Sequence, residues 1–88
     1  MLLNKARTEI LLTLKTNGHS LTDLSRLLKK SYRHVSLIRD ELVEKELVTQ
    51  RRDKSGVHMI LTEKGNRLVA LLTEMNNLLK EVELSITH

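Results

Sequence analysis

The chain has 88 residues, of which 40% are hydrophobic and 30% charged, with a net charge of +4 and no cysteine. That length holds one domain and one core, and the composition is that of a folded chain rather than a disordered one. Without thiols, disulfides, thiolate zinc sites and cysteine nucleophiles are excluded, while the basic balance favours an acidic partner such as nucleic acid.

A chain this short buries only about 60–65% of its unfolded surface, so a spare apolar face used for self-association is expected. No apolar run reaches the roughly 18–20 residues of a membrane span. The opening MLLNKARTEILLTLK interrupts its apolar pattern with charge and has no small-residue cleavage site, which does not fit a secretory signal. A cytoplasmic location is expected. With no proline and Tyr32 as the sole aromatic, the core must come from Leu, Ile, Val and Met.

Leu3, Ala6, Ile10, Leu11 and Leu14 recur at helical spacing, predicting a first helix over about residues 2 to 16. Asn17-Gly18 then stops it, because both residues tolerate the left-handed conformation. Leu21 precedes Thr22, read as an N-cap with Asp23 beside it, and Leu24, Leu27 and Leu28 give a short second helix its buried face. Ser31 caps a third helix to about Lys45, with Val35, Ile38 and Leu42 inward. Leu47-Val48 begins a strand, Asp53-Lys54-Ser55-Gly56 has turn chemistry, and Val57 to Leu61 forms the return strand.

Thr62 caps a last helix that tolerates Gly65 in its first turn and runs to about Ser85, roughly 33 Å at 1.5 Å per residue. Its stripe is Leu68, Leu71, Leu72, Met75, Leu78, Leu79, Val82 and Ile86, with a heptad-like repeat at Leu68, Met75 and Val82. So long a helix exceeds what this domain can cover, so its C-terminal half should project onto another chain. The expected fold is mainly α with a small β-hairpin (α+β), in the order α-(β)-α-α-β-β-α with a long C-terminal helix. The single domain 1–88 then divides into 1–62 and a dimerisation helix, 63–88.

That order is the order of the winged helix-turn-helix. LTDLSRLLKKSYRHVSLIRDELVEKELV, followed by a basic wing and LTEKGNRLVALL, resembles the MarR-like and related small archaeal or archaeal-virus winged-helix regulators. The resemblance covers about Leu21 to Leu72. It departs at Lys29 and Glu46, where such proteins often carry glycine, and at Lys30, often apolar there. The chain is also shorter than typical MarR proteins and lacks the extra helices that build their effector pocket, so no small-molecule effector is expected.

The resemblance makes the third helix, about 32–45, a recognition helix in the major groove, with its N-terminal half at the base edges. Arg33 is the foremost candidate for a base contact, since its fork matches guanine O6 and N7. Ser36 suits a base or phosphate, and Leu37 either packs on a thymine methyl or belongs to the core. Tyr32 either donates to a phosphate or packs its ring on the second helix; His34 lies at the flank. Arg39 joins this basic set, and Asp40 orients Arg33 or Arg39 or is simply solvated. Lys29, Lys30 and the amides near Ser31 form a candidate phosphate clamp. Arg51, Arg52 and Lys54 on the wing, about 49–58, suit flanking phosphates or the minor groove.

Dimerisation is assigned to Leu3, Leu68, Leu71, Leu72, Met75, Leu78, Leu79 and Val82. The four histidines, His19, His34, His58 and His88, show no ligand spacing, so neither metal nor cofactor is expected. Nor is there a nucleophile elbow, phosphate loop or paired-carboxylate motif. The leading expectation is a non-enzymatic, homodimeric regulator that binds double-stranded DNA sequence-specifically. The alternatives are a nonspecific architectural DNA-binding protein and a winged-helix protein-interaction module.

Overall fold

The structure, a computed structural model, describes residues 4–86. Leu3 and His88, and the side chain of Ile86, lie outside the described residues. Four helices and one hairpin follow in the order α1 (Lys5–Thr13), α2 (Leu21–Leu28), α3 (Tyr32–Glu44), β1 (Val48–Asp53), β2 (Gly56–Leu61) and α4 (Glu63–Ile86).

Helix α1 is shorter than its apolar periodicity predicts. Asn4 Oδ1 accepts the Arg7 N–H at 2.9 Å, which starts the helix at Lys5, and Leu14 closes it in a right-handed conformation. Asn17-Gly18 does not stop it in the expected way, because neither residue has a positive φ. Gly18 is required instead by close approach. A Cβ there would lie 2.7 Å from Ile60 Cγ2 and 3.0 Å from the Met59 carbonyl oxygen. The segment it belongs to pairs with the hairpin, His19 and Met59 exchanging backbone bonds of 3.1 and 2.7 Å. This isolated bridge is all that forms of the short strand expected before α2.

The N-cap of α2 is Ser20, not Thr22: Ser20 Oγ accepts the Asp23 N–H at 3.1 Å, and Leu21 is the first helical residue. Only Leu24 of its apolar face is fully buried; Leu27, expected inward, is 58% exposed. Ser31 caps α3 as expected, accepting the His34 N–H at 3.1 Å. Strands β1 and β2 pair antiparallel from Val48↔Leu61 to Asp53↔Gly56.

Thr62 Oγ1 accepts the Gly65 N–H at 3.0 Å to begin α4, and donates to the Glu46 carbonyl at 2.6 Å. Gly65 is more than tolerated. A Cβ at that position would fall 2.0 Å from the Leu47 carbonyl oxygen, so only glycine lets α4 lie against the end of the α3–β1 turn.

One core holds these elements together. Ile10, Leu11 and Leu14 of the first helical segment meet Leu24, Val35, Ile38, Leu42, Leu47, Val48 and Met59, closed by Val69 and Leu72 of α4. Leu72 is therefore a core residue, 7% exposed, rather than a free member of the dimerisation stripe. Outside the core, Arg7 pairs with Glu41 and joins α1 to α3.

Candidate nucleic-acid interface

The turn between α2 and α3 is held from both sides. The Lys30 N–H donates to the Ser25 carbonyl at 3.0 Å, and Ser25 Oγ donates to the Lys30 carbonyl at 2.5 Å. Lys29, at φ 54° and ψ 47°, takes the left-handed conformation that ends α2. Glu46 does the same after α3, at φ 62°. Both positions where the chain departs from glycine thus keep a glycine-type backbone, and the layout survives. Lys29 is exposed and Lys30 half-buried at the head of α3. Ser31 has its hydroxyl engaged as a cap.

With Val35, Ile38 and Leu42 buried, α3 turns Arg33, His34 and Leu37 to the surface. Leu37 is 53% exposed and Tyr32 56%, so neither is taken up by the core. Arg39 is engaged within the protein. Its Nε donates to Asp40 Oδ1 at 2.9 Å, Nη2 to Ser36 Oγ at 3.1 Å and Nη1 to Gln50 Oε1 at 3.5 Å. Of the roles open to Asp40, the structure takes the partner of Arg39. Ser36 is half-buried and accepts from that same guanidinium, which leaves its hydroxyl hydrogen free to donate outward. The Arg39–Gln50 contact links α3 to β1. Sequence reasoning missed it, because only the strand register places Gln50 opposite that helix.

On the wing, Arg51, Arg52 and Lys54 are all exposed. The tip is organised by Asp53, whose Oδ1 accepts the Ser55 hydroxyl at 2.6 Å and the Ser55 N–H at 2.8 Å. These bonds, the hydroxyl first, hold the Asp53 carboxyl below its ordinary value, helped by His58 and Arg51. His58 Nε2 lies 2.9 Å from Ser55 Oγ and 3.5 Å from Asp53 Oδ1. A cleft of about 540 Å³ lies between the start of α2, Tyr32 and Arg39 on one side and Gln50, Gly56 and Val57 on the other. Arg39 and Asp23 are the charged side chains of its lining; Lys29, Lys30 and Arg33 at the head of α3 and Arg51, Arg52 and Lys54 of the wing lie outside it.

The exposed side chains at the two places are mostly basic: Lys29 and Arg33 at the head of α3, and Arg51, Arg52 and Lys54 on the wing. Among the described residues no ionisable side chain is buried, and no three His, Asp or Glu side chains converge to hold a metal. No helix among them is long and apolar enough to cross a membrane.

The architecture is a winged helix-turn-helix, with α2–α3 as the helix pair and β1–β2 as the wing. No protein-family model matches the sequence, and no curated protein does either. Solved structures do. The adhesin competence repressor AdcR of Streptococcus pyogenes superposes with a TM-score of 0.84 at 21% identity, over 96% of this chain and 64% of that one. MepR, a transcription regulator of the Staphylococcus aureus multidrug efflux pump MepA, gives 0.85 at 20% identity, over 94% and 64%. Reduced HlyU of Vibrio cholerae gives 0.73 at 27%, over 82% and 77%. The chain thus spans less than two thirds of the length of AdcR and MepR, and the likeness to them is one of fold, the winged helix-turn-helix.

Proposed function

We propose that the chain is a transcriptional regulator, not an enzyme, that binds double-stranded DNA sequence-specifically as a homodimer within the cytoplasm. The observation that carries this reading is the exposed face of α3. Arg33, His34 and Leu37 project from its N-terminal half, and no acidic residue occurs from Arg26 to Arg39. In this geometry α3 enters the major groove and Arg33 reads a guanine edge, while Ser36 and Leu37 sit over neighbouring bases. Lys29, Lys30 and the Tyr32 hydroxyl hold the phosphates before it. Arg51, Arg52 and Lys54 hold the flanking backbone or narrow minor groove. Arg39 stiffens the reading face from behind, through Ser36 and Gln50.

The test is selection of bound sequences from random DNA, followed by titration at several salt concentrations. A pseudo-palindromic site with half-sites about 34 Å apart is expected, and Arg33→Ala should reduce preference for it about 5- to 150-fold, the equivalent of about 1–3 kcal/mol. Six to eight neutralised phosphates per dimer give a log–log salt slope of about −5 to −7. Equal competition by all sequences would convert the reading to an architectural DNA-coating protein. A stable protein partner without salt-sensitive DNA binding would convert it to an interaction module.

A further inference from the structure

The Asn17-Gly18 pair makes no left-handed turn and lies in the bend between Leu14, which closes α1, and the His19–Met59 bridge. What distinguishes the pair is its chemistry. The backbone nitrogen after an asparagine can close a five-membered ring on that asparagine's Cγ. A side chain on the following residue hinders the attack, and so does any bond that holds the amide or the backbone N–H in place.

None of these restraints is strong here. Gly18 has no side chain, and among the described residues its N–H has no acceptor. Asn17 is exposed, and its Oδ1 is met by the Thr16 hydroxyl at 3.5 Å, too long to hold it firmly.

The other four asparagines are restrained. Asn4 precedes Lys5, and its Oδ1 accepts the Arg7 N–H at 2.9 Å. Asn66, Asn76 and Asn77 lie in α4 and precede Arg67, Asn77 and Leu78. The N–H groups of those followers belong to the helix ladder and cannot turn toward a side chain without breaking it.

We propose that Asn17 is a site of spontaneous deamidation, and that its isoaspartyl product loosens the hairpin from the helices. The Gly18 nitrogen gives up its proton to hydroxide and attacks Asn17 Cγ. A new C–N bond forms, the bond from Cγ to the side-chain nitrogen breaks, and ammonia leaves with a proton taken from water. Water then opens the resulting succinimide. Opening at Cγ returns the ordinary backbone with aspartate. Opening at the main-chain carbonyl leaves isoaspartate, whose backbone runs through Cβ and Cγ. In sum one water is consumed and one ammonia released, with no oxidant or cofactor.

The position of the longer link sets its consequence. A Cβ on Gly18 would lie 2.7 Å from Ile60 Cγ2 and 3.0 Å from the Met59 carbonyl oxygen, so Gly18 has no room to shift toward β2. One residue on, His19 and Met59 exchange backbone bonds of 3.1 and 2.7 Å. Isoaspartate adds one backbone carbon just before this pair, and the segment can move only away from the hairpin. The bridge then opens, and with it the tie between the wing and the α1–α2 segment.

The full-length protein, aged while folded in mildly alkaline buffer, supplies the test. Its tryptic peptide 16–26 holds Asn17 as the sole asparagine. That peptide should gain one mass unit, and part of it should accept a methyl group from isoaspartyl methyltransferase, before any other asparagine changes. Equal conversion at Asn4, Asn66, Asn76 or Asn77 would overturn the assignment. So would an intact Asn17 when a urea-unfolded sample converts there. Asn17→Gln, which would need a six-membered ring, should abolish methyl acceptance in the peptide; its persistence would place the isoaspartate elsewhere and overturn the assignment.

In the isoaspartyl fraction the His19 and Met59 amides should exchange with deuterium roughly 3- to 10-fold faster, the signature of about one lost hydrogen bond. Asn17→Asp carries the product's charge on an ordinary backbone and should leave both amides at the native rate. Unchanged amides in the isoaspartyl fraction, or equal acceleration in Asn17→Asp, would overturn the effect of the longer backbone.

Discussion

Lys29 and Glu46 share a backbone conformation and differ in what surrounds it. Each holds a left-handed φ that glycine adopts freely, at a cost of about 1–2 kcal/mol for other residues. Substitution by glycine recovers that cost less the 0.5–1 kcal/mol or so that glycine adds to unfolded-chain entropy. Lys29→Gly and Glu46→Gly should therefore each stabilise the fold by about 0.5–1 kcal/mol in denaturant titrations. They should part company on DNA. Only Lys29→Gly removes a proposed phosphate contact, so it alone should reduce the salt slope, by about 0.9. An equal change in slope for both would place the contact elsewhere. Asp53 sets a second expectation at this scale. Its bonds from Ser55 favour the carboxylate and lower its pKa from the ordinary 3.8, so its contribution to the tip is fully present above that value. The contribution is lost as pH falls through the lower folded value. The Ser55 amide resonance should hold steady from neutral pH down to the ordinary carboxyl value of 3.8 and move only below it, whereas movement well above that value would show that Asp53 does not govern the tip.

At the scale of elements, α4 is docked through one glycine. Gly65→Ala pushes a methyl into the Leu47 carbonyl, and overpacking of this kind costs typically about 1–3 kcal/mol. Thermal unfolding should fall by several degrees, with further loss for Gly65→Val; unchanged melting would mean the helix start shifts without penalty. The role of Gly65 was not legible from its own neighbours, because the atom that excludes a side chain belongs to a residue 18 positions earlier. Gly18 was misread for the same reason, its constraint lying on the hairpin. What periodicity did reveal was local: Val35, Ile38 and Leu42 face inward as their spacing requires, and Ser31 and Thr62 cap as their chemistry requires. Ser20 and Thr22 are both good caps, and the sequence offers no means of choosing between them. Spacing likewise cannot decide which of Leu71 and Leu72 turns to the core, nor that Leu21 and Leu28 rather than Leu27 pack beside Leu24. The basic residues of the proposed interface are visible in the sequence as a run. The engagement of Arg39 by Ser36, Asp40 and Gln50 was not, since it depends on where β1 lands beside α3.

Seen whole, the protein is long for its mass. It measures 51 by 27 by 26 Å with a radius of gyration of 14.3 Å, against about 12 Å for a compact chain of this length. Among the described residues Val69 and Leu72 are the buried apolar side chains of α4, and both lie in its first half, so packing of the later turns is assigned to the homodimer proposed above. Stability in that case is linked to concentration by mass action. The melting temperature should rise by several degrees between micromolar and hundreds of micromolar protein, and a concentration-independent transition would argue for a self-sufficient monomer. Tyr32 closes the account in a different way. It is the sole aromatic side chain in the sequence and stands 56% exposed at the head of α3. The protein's entire intrinsic ultraviolet fluorescence therefore originates at the face proposed to meet DNA and not in its core. That makes Tyr32 a single lamp at the proposed contact, one that should dim when a duplex arrives and stay nearly blind to the packing behind it.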